Sequence, residues 1–358
     1  MDLKLKAKEE CTYDAVSLGE VMLRLDPGEG RIRTARQFRA WEGGGEYNVI
    51  RGLRKCFGMK TAVITAFADN EVGKLMEDFI CQGGVDTSLI HWAKTDGIGR
   101  ICRNGLNFTE RGFGIRGAVG CSDRANTAIS QAKPEDFDFD KIFKGADWFH
   151  WSGITPAISD ASAECLRQAC IAAKKHGVTV SCDLNFRKKL WTSEKAISIM
   201  RPLMQYVDVC IGNEEDAELC LGFKPDADVE AGVTDAAGYE GIFKAMAKEF
   251  GFKYVVSTLR ESFSATHNGW KALIYDGKEF YQSKRYDINP IIDRVGGGDS
   301  FSGGLIHGLL TKPTQGEALE FAVAASALKH TIPGDFNHVS IEEVEALAGG
   351  NANGRVQR

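Results

Sequence analysis

Short apolar, β-branched runs alternate with longer stretches of helical periodicity along most of the chain, and this restricts the fold more than any other feature. Strand-like runs lie at Asp14–Gly19, Thr61–Ala66, Asp147–Ser152, Val178–Asp183, Tyr206–Ile211 and Tyr254–Thr258. Helical spacing covers Tyr47–Phe57, Glu71–Gln82, Asp160–His176, Ser193–Gln205, Glu214–Leu221, Gly238–Glu249, Gly298–Leu310 and Thr314–His330. Strands separated by helices of this length pair in parallel, with helices covering both faces of the sheet. The expected class is therefore α/β with a mostly parallel sheet. Ligands of such sheets sit beyond the carboxyl ends of the strands. Asp183 and Asn213 fall at such ends.

Two regions interrupt the alternation. Met22–Trp41 is rich in arginine, with Gly and Pro punctuation. Gly97–Ala128 holds seven glycines and five arginines, Arg103 and Arg124 among them. Both read as short strands and loops leaving the sheet edge, in keeping with a lid or with a plain surface excursion. The expected organisation is one domain over residues 13–345. A lid is embedded at about 21–42 and 97–128, and tails occupy 1–12 and 346–358. Asp226–Ala237 is acidic and reads as an exposed loop.

Composition narrows the function classes. A net charge of -5 argues against a nucleic-acid partner. No apolar run approaches the roughly 18 residues of a membrane span, and Met1–Tyr13 lacks the apolar core of a signal peptide. The ten cysteines form no C-x-x-C pair, and Cys182 and Cys210 lie in apolar runs. Reduced, buried thiols in the cytoplasm are expected.

The stretch Asp293-Arg-Val-Gly-Gly-Gly-Asp-Ser-Phe-Ser-Gly-Gly carries the chemistry. Three glycines end a turn and a helix begins at once. A helix start presents unpaired N–H groups and the positive end of the dipole. Gly296, Gly297 and Gly298 let that backbone approach an anion closely. Asp299 stands at the rim, where a carboxylate can take a proton from an attacking hydroxyl. The plainer alternative is an Asp-capped helix with a tight glycine turn. Gly303 and Gly304 imply that something packs closely on the helix. A literal G-x-G-x-x-G at Gly112, Gly114 and Gly117 precedes no helical pattern, which disfavours a dinucleotide fold, and no P-loop motif is present.

The same stretch resembles the second signature of the ribokinase-like (PfkB-type) carbohydrate kinases, with Asp293, Gly296, Gly297, Gly298, Asp299, Gly303 and Gly304 matching and Arg294 departing from it. The resemblance runs from about Asp14 to Val339. It implies a three-layer α/β/α sandwich with a small β lid, ATP and Mg²⁺ as cofactors, and a monovalent cation besides. Gly43, Gly44 and Asn48 resemble the glycine pair and Asn that grip sugar hydroxyls. Arg24 falls where the family places a polar sugar contact. Asn213-Glu-Glu-Asp resembles the segment that orders water around Mg²⁺, with Asp216 for the usual Glu. Thr258 begins the segment that leads to the adenine site, here without its usual glycines. Ser326 lies on the helix flanking that pocket, and Asp293 on its nucleotide side.

His150-Trp-Ser-Gly-Ile-Thr-Pro-Ala and Asp183-Leu-Asn-Phe-Arg187 resemble 2-keto-3-deoxygluconate kinases in particular. The resemblance implies phosphorylation of that sugar acid to its 6-phosphate, with Arg187 on the substrate carboxylate. A planar guanidinium suits that contact, whereas a salt bridge closing a loop is the plainer use of such an arginine. Arg103 and Arg124 add positive charge to the lid. A kinase for fructose or ribose and a non-catalytic sugar-binding relative are the alternatives. A homo-oligomer paired through the lid is a further expectation.

Overall fold

The computed structural model describes residues 3–224 and 236–351. In chain order the first seven strands are β1 (Tyr13–Leu18), β2 (Met22–Asp26), β3 (Arg39–Gly43), β4 (Thr61–Ala68), β5 (Ile90–Ala93), β6 (Leu106–Glu110) and β7 (Val119–Asp123). The next seven are β8 (Ala146–Ser152), β9 (Thr179–Asp183), β10 (Val209–Ile211), β11 (Tyr254–Ser264), β12 (His267–Tyr275), β13 (Phe280–Gln282) and β14 (Tyr286–Ile288). The large sheet has the order β13-β12-β11-β10-β9-β8-β1-β4-β5, with β14 also paired to β12. Every pairing from β11 to β5 is parallel, and β12 is antiparallel to β11. Strand order reverses at β1, which lies between β4 and β8. That reversal opens a crevice at the carboxyl ends, where doubly wound sheets bind ligands.

Burial shows why these runs become central strands. Every residue of β4 and of β8 is buried, as expected of parallel strands covered on both faces. Successive side chains of β8 enter opposite layers. Trp148 packs with Val49, Leu305 and Phe321 on one face, whereas Phe149 and Trp151 pack with Leu166, Met200 and Phe243 on the other. Each fully buried aromatic of this size contributes about 1.5–3 kcal/mol of transfer free energy. The helices Gly45–Phe57, Gly297–Thr311 and Gln315–Lys329 cover the first face. Asp160–Lys175, Ser193–Met204 and Ala236–Phe250 cover the second. The result is the expected three-layer α/β/α sandwich.

The lid is a second sheet of order β3-β2-β6-β7, antiparallel except for the parallel pair β2–β6. Only Gly19, Glu20 and Val21 separate β1 from β2, so the lid rises directly from the carboxyl end of the reversal strand. The G-x-G-x-x-G glycines lie in the β6–β7 connection and open no helix. The ten cysteines are all free thiols, and Cys182 and Cys210 are buried as expected.

Two expectations need correction, and four elements were not expected. The strand at Tyr254–Thr258 continues to Ser264 and folds back as β12, because Thr258–Ser262 has no glycine to turn the chain. Strands β12 to β14 and the helix Ile341–Ala348 carry too little periodicity to be read beforehand. Of the acidic segment, 226–235 lies outside the described residues, and Ala236–Ala237 begin a helix rather than end a loop.

The small residues of the glycine-led helix are explained by its neighbours. A Cβ on Gly304 would lie 2.9 Å from Ala322 Cα, and one on Gly303 would lie 3.3 Å from Val49 O. Gly304→Val therefore forces two helix backbones apart, at a cost of about 1–3 kcal/mol. Its thermal midpoint should fall measurably below that of the parent; an unchanged midpoint in calorimetry contradicts this contact.

Candidate active site

Four chain segments meet at the reversal crevice. β1 ends beside Glu46, in the first turn of Gly45–Phe57, and a Cβ on Gly19 would lie 2.4 Å from Glu46 Oε2. The Glu46 carboxylate accepts from Ser152 Oγ, at the end of β8, at 2.5 Å and from Thr155 Oγ1, just beyond it, at 2.8 Å. Burial raises the pKa of Glu46, opposed by those hydroxyls. One turn along, Asn48 Nδ2 donates to Asp299 Oδ2 at 2.7 Å across 251 residues of sequence. That bond joins the two glycine loops.

Asp299 lies in the first turn of Gly297–Thr311, with Gly296 as the N-terminal cap. Gly296 has φ +76, and a Cβ there would lie 1.8 Å from Asp335 O, so only glycine fits. The Gly297 amide donates to Arg294 O at 3.2 Å. Among the described residues the amides of Gly298 and Asp299 have no protein acceptor, and nothing approaches a Cβ position on Gly298 within 4 Å. Open N–H groups at a helix start form an anion site. Burial pushes the Asp299 carboxyl up to about 6. The Asn48 bond and the charges of Arg187 and Lys329 oppose that rise, and Glu46 adds to it.

Asp183 closes the floor at the end of β9. Burial, followed by the charges of Asp216 and Asp299, raises its pKa strongly. Asn213 and Asp216 form a reciprocal cap: Asn213 Oδ1 accepts from Asp216 N at 2.8 Å, and Asp216 Oδ2 accepts from Asn213 N at 3.2 Å. Asp216 Oδ1 accepts from Phe186 N at 2.9 Å and so fixes the loop that carries Arg187. Arg187 is exposed, forms no ion pair among the described residues, and extends its positive field over Asp183, Asp216 and Asp299. It does not close a loop through a salt bridge.

The other three arginines expected at the site, Arg24, Arg103 and Arg124, are committed to carboxylates. Arg24, its side chain 1% exposed, is held by Asp335, by Asp26 at 3.1 Å and by Asp293 at 3.8 Å, and is not open to a ligand. Its strand runs into the lid base, where the three carboxylates converge on it. Arg124 pairs with Glu20 at 3.2 Å and Arg103 with Asp123 at 2.5 Å.

Asp293 ties the glycine turn from behind, accepting from Val295 N and Gly334 N at 3.0 Å each. Ser326 is fully buried and donates to Gly297 O at 2.7 Å, so it buttresses the turn rather than lining an open pocket. Thr258 lies within β11 opposite Ala272. A Cβ on Gly43 would meet Asp335 Oδ2 at 2.6 Å, and one on Gly44 would meet Glu20 O at 2.0 Å. Both glycines therefore seat the lid base closely.

Three residues of the site were not anticipated. Glu46 follows the glycine loop and reads as an ordinary acidic first-turn residue. Asn185 has φ +37, and its Nδ2 lies 3.9 Å from a Cβ position on Gly45; its place in Asp183-Leu-Asn-Phe-Arg187 was the available signal. Lys329 ends a helix and looks like a surface cation, yet it is fully buried. Among the described residues no group of three or more His, Cys, Asp or Glu side chains is placed to hold a metal, and no helix is long and apolar enough to cross a membrane.

Comparison with known proteins places the chain among sugar kinases. A 2-dehydro-3-deoxygalactonokinase of Haloferax volcanii is 31% identical over 343 residues, 95% of this chain and 98% of that one. A crystal structure of 2-dehydro-3-deoxygluconokinase from Thermotoga maritima is 43% identical with a TM-score of 0.87, covering 94% of this chain and 99% of that one. A putative ribokinase II from E. coli in complex with ATP and Mg²⁺ is 18% identical with a TM-score of 0.73, covering 94% and 99%, and shares the fold. Residues 13–339 match the model of the pfkB family carbohydrate kinases, and the chain belongs to that family.

Proposed function

We propose that this chain transfers the γ-phosphoryl group of ATP to the terminal hydroxyl of 2-keto-3-deoxygluconate, giving the 6-phosphate. One observation carries the reading: a carboxylate of raised proton affinity, Asp299, shares a helix start with two open backbone amides. Phosphoryl transfer requires little of a protein beyond positioning and charge stabilisation. Asp299 orients the hydroxyl and takes its proton late. Asn48 holds the carboxylate at 2.7 Å so that its other oxygen faces the acceptor. The open amides of Gly298 and Asp299 receive the negative charge that shifts during transfer.

The acid class of the substrate rests on Arg187. It is exposed beside a floor of carboxylates and has no protein partner to neutralise it, which suits a bidentate contact with a substrate carboxylate. The names of the Haloferax and Thermotoga relatives point to the same substrate class. Mg²⁺ binds through few carboxylates, several waters and substrate phosphates. Asp216 fits that role only through water, since both of its oxygens already accept backbone amides. When bound, the ion neutralises phosphate charge.

A cytoplasmic setting fits the ten free thiols. The lid edge β7 is exposed along its whole length, and pairing of two copies along it gives a homodimer.

Asp299→Asn should lower kcat by roughly 10²–10⁴-fold with little change in substrate affinity, measured by coupled ADP release; near-normal turnover contradicts the role. In the parent, kcat/KM should fall on the acid side through about 6 as Asp299 gains its proton and ceases to accept one. Arg187→Ala should raise KM for the keto-deoxy acid by about 10–100-fold, the loss of a charged hydrogen-bond pair. A neutral sugar should lose far less, and equal losses would count against the carboxylate contact. Light scattering that finds a monomer contradicts pairing through β7.

A further inference from the structure

The resemblance to this family implies a monovalent cation, and the backbone beneath the glycine turn shows what stands in such a position here. The loop 292–296 and the turn 329–335 are bound together. Ile292 N donates to His330 O at 2.8 Å, Gly334 N donates to Asp293 Oδ2 at 3.0 Å, and Gly296 lies directly on the carbonyl of Asp335. Two carbonyl oxygens of these segments, Asp293 O and Ile332 O, turn inward. Buried carbonyls need a donor or a cation, and converging carbonyl oxygens are the usual ligands of an unhydrated monovalent ion.

Both oxygens already have a cationic partner. Lys329 is fully buried, and its Nζ donates to Ile332 O at 3.1 Å and to Asp293 O at 3.4 Å. The charged groups facing it are Asp293, Arg24 and Asp299. Burial lowers its pKa to about 8, and Asp293 and Asp299 oppose that fall, so the side chain is largely an ammonium at neutral pH. In turn its charge draws the Asp299 pKa down. A buried ammonium without an assigned partner is costly. This one answers the carbonyls and stands behind the amides that would meet phosphate.

We infer that Lys329 is the resident monovalent cation of this enzyme, a positioning residue whose ammonium takes the carbonyl site under the glycine turn, so that turnover requires no free K⁺ or Na⁺. The inference rests on the 296–299 corner being the phosphate site. A free ion at these carbonyls and the Nζ of Lys329 exclude one another, because they compete for the same two oxygens.

The test uses the full-length protein with ATP, Mg²⁺ and 2-keto-3-deoxygluconate. All other salts are tetramethylammonium, and KCl, NaCl or NH₄Cl is added at constant ionic strength. Wild-type turnover and thermal midpoint should be the same in K⁺ as in tetramethylammonium; activation of about tenfold or more by K⁺, or a midpoint raised by K⁺ alone, overturns the inference. Lys329→Met keeps the length of the side chain and removes its charge. Its turnover should fall about tenfold or more, and K⁺ or NH₄⁺ should partly restore both turnover and midpoint. Its acid limb should also move upward from about 6, since a positive charge near Asp299 is gone. A folded variant that works normally without K⁺, or one restored by neither ion, shows a structural lysine only and overturns the role. If the variant does not fold, the wild-type salt comparison decides. If the wild type has no turnover at all, the proposed reaction fails, and the midpoint comparison still decides the cation question.

Discussion

The hydrogen bond from Asn48 to Asp299 is the contact on which the site depends, because it joins two glycine-led helix starts that lie 251 residues apart. Each start is held in place from a different side. Gly44 rests against Glu20 O at the lid base, and Gly296 rests against Asp335 O at the turn after the last long helix of the first layer. Neither position tolerates a Cβ, so the backbone itself brings the two starts within reach. A carboxylate held there loses water, and its proton affinity rises toward neutrality. The same geometry that closes the fold therefore sets the chemistry.

Charge is arranged around that bond with little left over. Glu46, Asp183, Asp216 and Asp299 place four carboxyl groups at the strand ends, and burial raises the pKa of each. Most are answered by hydroxyls, amides or backbone N–H groups rather than by cations. Polar answers of that kind hold a carboxylate without a rigid salt bridge, whose desolvation often outweighs its attraction. Arg24, by contrast, gathers Asp26, Asp293 and Asp335 behind the turn, out of contact with solvent.

Much of this was legible in the residues alone. The strand–helix alternation yields the parallel sheet, because period and length survive in a buried strand. The glycine turn is legible because three glycines before an acidic residue have few other uses. The place of Arg24 is not legible for a physical reason: a strand arginine can face ligand or core, and only the approach of Asp293 and Asp335 from the far end of the chain decides it. Lys329 escaped notice because a lysine in a last helical turn ordinarily complements the dipole, and its burial depends on the turn that follows. β12 is hard to see in the sequence because His267-Asn-Gly opens it with polar and small residues, while its core hydrophobics begin at Trp270.

The proposed specificity rests on which cations remain available. The arginines of the lid carry positive charge in the sequence, yet Glu20 and Asp123 neutralise Arg124 and Arg103 where they stand. Those two arginines therefore add less open charge to the lid than composition suggests. Arg187 differs because its loop is anchored through backbone: Asp216 accepts from Phe186 N, and the exposed guanidinium of the next residue donates to Phe186 O at 3.1 Å but forms no ion pair among the described residues. A carboxylate entering beside it gains a charged partner without breaking a protein ion pair. A neutral sugar gains nothing there and leaves the four acidic groups of the floor unscreened. The proposed preference for a sugar acid thus rests on the Arg187 guanidinium, which has no ion pair among the described residues and is held over a negative floor.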